Sequence, residues 1–360
     1  MATIHDVAAA AGVSPATVSR VLNRPEIVAA EKVARVRAAI DELGFQRSVV
    51  ARDLRLRSSH TIALLVADIS QPSQAALAKS VERRAEKSGY AVMLGDLDHR
   101  QERLLNFLRE MPSRGLAGVL IATGDDLDKS ALAEAIRHVE ERGVRVVTLA
   151  RAAEVPDVPM VTFESQHIGR DAAAHLLEQG RSELLFLSGG KASWHSRALE
   201  SGVRQAVKRA SASLSVIDGQ FQHKPAYTAV ARLLEQGVRP AGIIAATTPM
   251  ALGAVRALDE AGLAVPADVG VVVCQNEPLA EYVTPSLTAV GGDVDLHGEW
   301  AVDALLRCIA GDPVEPATIL QHSLIPREST GVVGLHAATP VPTSEGPAPE
   351  LGGARSRRAG

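Results

Sequence analysis

The chain has 360 residues, a formal net charge of −4 and 46% hydrophobic residues; this is too long for one small core, so we expect two or three globular domains. No apolar run approaches the roughly 20 residues needed to cross a bilayer, which argues against a membrane protein. The two cysteines, Cys274 and Cys308, lie in no C-x-x-C or Cys/His cluster, so we expect neither a disulfide framework nor a metal site.

Two short helices joined by a glycine turn are predicted over residues 3 to 23. Thr3 and Asp6 form a capping signal for the first helix, and Gly12 permits the turn. Ser14 can cap the second helix, where Pro15 takes the first position and its missing N–H costs nothing. By the helical period, the core-facing side of this helix holds Val18, Val21 and Leu22. Its outward-facing side holds Pro15, Ala16, Ser19, Arg20 and Asn23.

A third helix is predicted over residues 30 to 43, with Gly44 as its stop and four residues facing inward: Val33, Val36, Ile40 and Leu43. Three short helices with one core, two of them joined by a tight turn, are typical of a helix-turn-helix. The first 60 residues hold nine Arg or Lys and six Asp or Glu, although the whole chain is acidic. A basic head on an acidic body favours contact with DNA phosphates over the alternative, a helical domain that only packs on its neighbour.

Apolar strand-like runs then alternate with helix-length segments. A first series is TIALLVAD, YAVMLGD, GVLIAT and VRVVTLA, and a second is VPMVTF, ELLFLSG, LSVID, GIIAAT and VGVVVC. This alternation predicts two doubly wound parallel sheets, one for each of two lobes. Ligands of such sheets bind at the carboxyl ends of the strands, so we expect a cleft there.

Four segments carry a family resemblance over residues 3 to 331: VSPATVSRVLN, VVARDLR, ALLVADIS and LIPREST. Through them the chain resembles the lactose-repressor/galactose-repressor family of bacterial transcription factors. The resemblance implies an N-terminal all-α helix-turn-helix domain (residues 1–46), a hinge (47–59) and an α/β bilobed periplasmic-binding-protein-like domain (60–333). It also implies crossings between the lobes near residues 160, 289 and 321. The N-lobe would then hold 60–159 and 290–320, and the C-lobe 160–289 and 321–333. Residues 334–360, rich in Pro, Gly and charge, are predicted to be disordered.

The predicted DNA contacts fall in the second helix and the hinge. Arg20 can make a bidentate contact to guanine, Ser14, Thr17 and Asn23 suit phosphates or groove edges, and Pro15 and Ala16 suit thymine methyls. The resemblance implies that the hinge forms a helix on DNA and wedges Leu54 into the minor groove. Two alternatives remain open. Arg20 could be an ordinary solvent-exposed arginine, and the hinge could be an ordinary linker between domains. The full predicted set is Thr3, Ser14, Pro15, Ala16, Thr17, Ser19, Arg20, Asn23, Ser48, Ala51, Leu54 and Arg55.

The predicted effector cleft departs from the family. Where sugar- and purine-binding relatives carry charged or amide anchors, this chain aligns Ala150, Leu199, Thr247 and Gln275, which disfavours a simple neutral sugar. The candidate residues are Ser73, Arg151, Phe163, Trp194, Arg197, Thr247 and Gln275. Arg151 and Arg197 favour an anionic ligand, and Trp194 favours one with a flat face.

The sequence therefore predicts a transcriptional regulator, a repressor, that binds double-stranded operator DNA as a homodimer under control of a small ligand. No P-loop or nucleophile-elbow spacing occurs, so we expect no enzyme and no cofactor. The chain begins with a capped helix and not with a signal peptide, which predicts the cytoplasm. Two alternatives stay open: an architectural DNA binder whose sensor has lost its ligand, and a solute-binding protein, which the head domain opposes.

Overall fold

A computed structural model describes residues 2–45, 60–331 and 339–340. The chain divides into two compact units, Met1–Ser59 and His60–Gly360. The first unit is helical, and the second contains two sheets with helices on their faces. This is the predicted fold class.

The first unit contains three α-helices, with a 3₁₀ turn at Pro25–Ile27. They are α1 (Ile4–Ala11), α2 (Pro15–Asn23) and α3 (Ala30–Leu43). The predicted capping box is present, because the Thr3 hydroxyl accepts from the Asp6 amide at 3.3 Å and the Asp6 carboxylate accepts from the Thr3 amide at 2.8 Å. Gly12 ends α1 in the left-handed conformation, which glycine adopts without strain.

The core of the first unit lies where the three helices meet. Val7, Val18 and Val36 are fully buried. One predicted core residue is wrong: Leu43, the last residue of α3, is 38% exposed, and Ala39 is buried instead. The predicted helical period was right, but it could not show where the neighbouring helices end.

The second unit contains two sheets. The N-lobe sheet is parallel, in the order β11-β5-β4-β3-β1-β2, and the C-lobe sheet is mostly parallel, in the order β13-β12-β10-β9-β8-β6-β7 with β12 and β13 antiparallel. The strands are β1 (Thr61–Val66), β2 (Ala91–Asp96), β3 (Gly118–Ala122), β4 (Arg145–Thr148), β5 (Met160–Phe163), β6 (Glu183–Ser188), β7 (Ser213–Asp218), β8 (Gly242–Ala245), β9 (Gly270–Val273), β10 (Thr288–Gly292), β11 (Ala317–Leu320), β12 (His322–Ile325) and β13 (Thr339–Pro340).

Helices cover both faces of each sheet. They are α4 (Pro72–Lys87), α5 (Gln101–Glu110), α6 (Lys129–Glu140), α7 (Ser165–Glu178), α8 (Trp194–Arg209), α9 (His223–Glu235), α10 (Thr248–Glu260), α11 (Leu279–Tyr282) and α12 (Val294–Ala310), and 3₁₀ turns lie at Met111–Arg114, Arg151–Ala153 and Glu328–Thr330. The central strands of each sheet are buried on both sides, which explains their continuous apolar runs, whereas the edge strands β2, β7 and β11 are partly exposed. Within the described ranges, no helix is both long and apolar enough to cross a membrane.

Two predicted lobe boundaries are corrected by strand pairing. The run VPMVTF was assigned to the C-lobe, but β5 pairs with β11 and β4 in the N-lobe sheet, so the first crossing follows Phe163 and not residue 160. β10 pairs with β9 and β12 in the C-lobe sheet, so the second crossing follows Gly292 and not residue 289. The third crossing lies between Leu320 and His322, since β11 belongs to the N-lobe sheet and β12 to the C-lobe sheet.

Candidate functional site

The outward face of α2 is the candidate DNA-contacting surface. Pro15, Ala16 and Arg20 are exposed, whereas Thr17 and Ser19 are half-buried. Val18 and Val21 on the opposite face are buried in the core, so α2 cannot rotate without losing that packing. Asn23 is the last residue of the helix.

Two predicted contacts also cap the helices that carry this face. The Thr3 hydroxyl lies 2.8 Å from the Asp6 carboxylate at the start of α1. The Ser14 hydroxyl accepts from the Thr17 amide at 3.2 Å and lies 3.0 Å from the Thr17 hydroxyl. Both residues are exposed, so a phosphate contact and the cap are compatible. The predicted hinge residues Ser48, Ala51, Leu54 and Arg55 lie outside the described residues.

A cavity of about 210 Å³ lies between the two lobes of the second unit. It forms at the carboxyl ends of the strands, because its wall includes residues that end or follow β1, β3, β4, β5, β8, β9 and β10. Six of the seven predicted effector residues line it: Ser73, Arg151, Phe163, Trp194, Thr247 and Gln275.

Arg197 is the predicted effector residue that the cavity does not include. Its side chain is 44% exposed and forms a bidentate ion pair with Asp126 of the N-lobe, with both N–O distances at 2.6 Å. Arg197 lies one turn further along α8 than Trp194, which lines the cavity at the first position of that helix. The positive charge of Arg197 is therefore compensated by Asp126, and this ion pair joins the two lobes.

Arg151 lines the cavity but is also compensated. Its Nε donates to Glu164 Oε1 at 2.7 Å, its Nη2 donates to the same oxygen, and Nη1 lies 3.5 Å from Glu154. The hydrogen bond to Glu164 raises the pKa of Arg151 above its usual value. Both arginines on which the expectation of an anionic ligand rested are thus paired with carboxylates, and that expectation stays a prediction.

Three histidines that the sequence did not single out line the cavity. His99 Nδ1 donates to Asp125 at 2.9 Å, and this hydrogen bond raises the pKa of His99. Burial lowers the pKa of His195 and of His297 to about 4, so both are neutral near pH 7. His297 Nε2 donates to the Val161 carbonyl at 2.9 Å, which leaves Nδ1 as an acceptor.

Several further polar residues of the wall also escaped prediction. Gln71, Gln74 and Glu277 line the cavity and carry buried oxygen atoms that accept no hydrogen bond within the described ranges. Each lies just beyond the carboxyl end of a strand or at the start of the helix that follows. That position, which was used to place the cleft, could have singled them out.

Direct contacts join the lobes beside the cavity. Gln71 Nε2 donates to the Phe221 carbonyl and Gln275 Nε2 to the Ser73 hydroxyl, both at 3.2 Å. The His195 amide donates to the Gly124 carbonyl at 3.1 Å. The rings of His99 and Phe221 stack across the lobes, 6.1 Å apart and 7° from parallel. The lobes are therefore closed around the cavity.

Comparison with known proteins gives the same two-part organisation. Residues 3–48 match the model of bacterial regulatory proteins, lacI family, and residues 173–330 match that of the periplasmic binding protein-like domain. The ribose operon repressor of Escherichia coli strain K12 is 30% identical over 314 residues, which cover 86% of this chain and 93% of that protein. The HTH-type transcriptional repressor PurR of Escherichia coli O1:K1 is 31% identical over 334 residues, with coverages of 91% and 97%.

A solved structure agrees over nearly the same length. The lac repressor dimer bound to operator and the anti-inducer ONPF superposes with a TM-score of 0.80 at 26% identity, covering 91% of this chain and 99% of that one. The matches thus span both the helical unit and the two-lobed unit.

Proposed function

Because the chain belongs to the lacI family of bacterial regulatory proteins, we propose that this transcriptional repressor acts as a homodimer on a near-palindromic operator, under control of a small ligand in the interlobe cavity. Its relatives are repressors, and the chain is not an enzyme. We propose that it acts in the cytoplasm, where bacterial operator DNA lies.

The observation that carries this proposal is the outward face of α2. Its small exposed residues, Pro15 and Ala16, allow the helix to approach base edges closely, and Arg20 offers a fork of donors that matches guanine O6 and N7. We propose that Ser14 and Thr17 at the start of the helix contact phosphates, which orient a protein on DNA without specifying bases. Two copies of such a head suit an operator with two half-sites.

The hinge is part of the same proposal. Ser48, Ala51, Leu54 and Arg55 would contact the minor groove at the operator centre, with Leu54 as the apolar wedge. A wedge of this kind costs a few kcal/mol of lost base stacking, and it bends the duplex so that the DNA contacts more of the protein surface.

The cavity favours a ligand-controlled repressor over an architectural DNA binder. A sensor that had lost its ligand would have no need for a cavity lined by polar side chains of both lobes, since burying such groups costs free energy. Here, the lining includes Gln71, Gln74, Thr247 and Gln275. We therefore propose that a ligand binds in this cavity and holds the lobes in one arrangement.

Removal of the helical unit tests the DNA-binding part of the proposal. A duplex selected from a random pool should bind the full-length chain with strong salt dependence, and a chain beginning at His60 should melt cooperatively but bind no DNA. Gel shift measures the binding, and circular dichroism measures the melting. Retained operator affinity in the shortened chain would contradict the proposal.

Arg20→Ala tests the base contact. We expect a loss of about 1–3 kcal/mol on the selected duplex and a much smaller loss on random DNA at the same salt, because a base contact carries specificity. Arg37→Ala, which removes an exposed arginine from α3, is the matched control and should affect both DNAs alike. An equal loss on both DNAs for Arg20→Ala would assign that residue to a phosphate.

A further inference from the structure

Among the described residues, the wall of the interlobe cavity presents no uncompensated charge. Arg151 is paired with Glu164, and His99 with Asp125. Glu277 is the remaining acid of the wall, and its carboxyl oxygens are closed off from solvent. Burial raises the pKa of Glu277, which favours the uncharged form of this side chain. A charged ligand would therefore lose its water without gaining a free partner of opposite sign, and this loss costs free energy.

Aromatic rings form much of the same wall. The chain contains only two Trp, three Tyr and five Phe, yet Phe163, Trp194 and Phe221 all line the cavity. The ring of Phe221 stacks on that of His99, and the ring of Phe163 meets His297 edge to face with the ring centres 4.9 Å apart. Ring faces and edges of this kind favour a flat ligand, which can stack on them or meet them at its edge.

The rest of the wall favours an aromatic ring over a sugar. Four aliphatic side chains complete the lining: Leu77, Leu149, Ile168 and Val294. Each sugar hydroxyl that met this surface would lose its hydrogen bonds to water without gaining new ones, at a cost of about 1–3 kcal/mol. An engineered cavity of about 150 Å³ with walls of Leu, Ile and Phe binds benzene. The cavity of about 210 Å³ therefore has room for one aromatic ring with small substituents.

Two ring nitrogens of the wall are open to hydrogen bonds. His297 Nε2 donates to the Val161 carbonyl, so His297 Nδ1 is an acceptor, and Trp194 Nε1 is a donor. Within residues 2–45, 60–331 and 339–340, neither nitrogen has a hydrogen-bond partner, and neither belongs to the unpartnered atoms that are closed off from solvent. Both side chains are mostly buried and line the cavity, so the cavity is the open space that these nitrogens face.

We propose that the cavity ligand is an uncharged phenolic compound. Its ring lies against the aromatic side chains of the wall, its hydroxyl donates to His297 Nδ1, and a second oxygen substituent accepts from Trp194 Nε1. A hydroxyl suits His297 because it supplies the donor that this nitrogen lacks. This inference rests on the proposed function, in which the same cavity holds the effector.

A matched ligand series tests the chemical class. The phenols p-cresol, catechol and guaiacol are added to the full-length protein without DNA. Three comparison compounds are toluene, which lacks the hydroxyl, p-hydroxybenzoate, which adds the anionic group expected from the sequence, and glucose. Calorimetry at about pH 7 keeps the phenols uncharged, since the pKa of a phenol hydroxyl is about 10.

At least one phenol should bind more tightly than p-hydroxybenzoate and glucose, by about 10-fold or more. Toluene should bind more weakly than p-cresol, because it cannot donate to His297. Binding by none of the phenols, or an affinity for p-hydroxybenzoate or glucose that equals or exceeds theirs, would overturn the proposal.

Two variants test the two hydrogen bonds. Trp194→Phe keeps an aromatic ring and removes the N–H donor, so it should weaken binding of catechol and guaiacol by roughly 2- to 10-fold and leave p-cresol unchanged. Trp300→Phe, at a position of α12 outside the cavity, is the matched control and should change none of these affinities. His297→Phe should weaken binding of all three phenols and spare toluene. Unchanged phenol affinity in a folded variant would refute the hydrogen bond that the variant removes.

Operator binding is measured by gel shift on the same samples. If the operator is bound and no phenol binds, the inference about the ligand fails and the proposed repressor function stands. If no duplex is bound, the proposed function fails by itself. A phenol that binds and also changes operator affinity supports both.

Discussion

At the scale of single residues, the His99–Asp125 contact makes the stability of the N-lobe depend on pH. The Asp125 hydrogen bond raises the pKa of His99 above the ordinary 6.5, so its stabilising effect is complete below that value and is lost as the pH rises through the raised pKa. His99→Gln should lower the melting temperature by at most about 2–4 °C near pH 6. This difference should shrink near pH 8.5, apart from the lost Phe221 stacking. Thermal melts of both proteins across that range measure it, and a difference that does not change with pH would contradict the role of the charge.

At the scale of elements, α7 and α8 pack through glycines. A Cβ at Gly202 would lie 1.9 Å from the Gln166 carbonyl oxygen and 2.7 Å from the Arg170 amide nitrogen, both backbone atoms that cannot move alone. Gly202→Ala should therefore push the helices apart and cost about 1–3 kcal/mol, although alanine is the better helix former. Denaturant unfolding measures the loss. Ser201→Ala, at an exposed position of the same helix, is the control and should not destabilise the protein; a stable Gly202→Ala would show that the two helices can separate without cost.

At the scale of the whole two-lobed unit, the Arg197–Asp126 pair helps to hold the lobes closed. Because both side chains are nearly half exposed, the pair should contribute no more than about 1 kcal/mol. Arg197→Ala should thus accelerate hydrogen exchange of the Asp126 and His195 amides, which donate across the lobes, by up to about fivefold. Arg204→Ala removes an ion pair within the same helix and should leave those amides unaffected. Unchanged exchange in Arg197→Ala would mean that the other interlobe contacts suffice.

The sequence by itself determined the features that depend on neighbouring residues. The caps at Thr3 and Ser14, the turn at Gly12 and the burial of Val18 and Val21 all follow from contacts within one or two helical turns. The alternation of apolar strands and helices likewise predicted two α/β sheets, since a strand that is buried on both faces must be apolar throughout. The position of the cleft was predicted from the carboxyl ends of the strands, and six of the seven residues proposed for the effector line the cavity found there.

Only the tertiary structure decided what depends on distant partners. β5 belongs to the N-lobe because it pairs with Ala317–Leu320, more than a hundred residues away in the chain. Arg197 does not line the cavity, and its charge is compensated by Asp126 of the other lobe. A side chain's charge can be read from the sequence, but whether that charge is compensated depends on which groups the fold brings within a few ångströms of it.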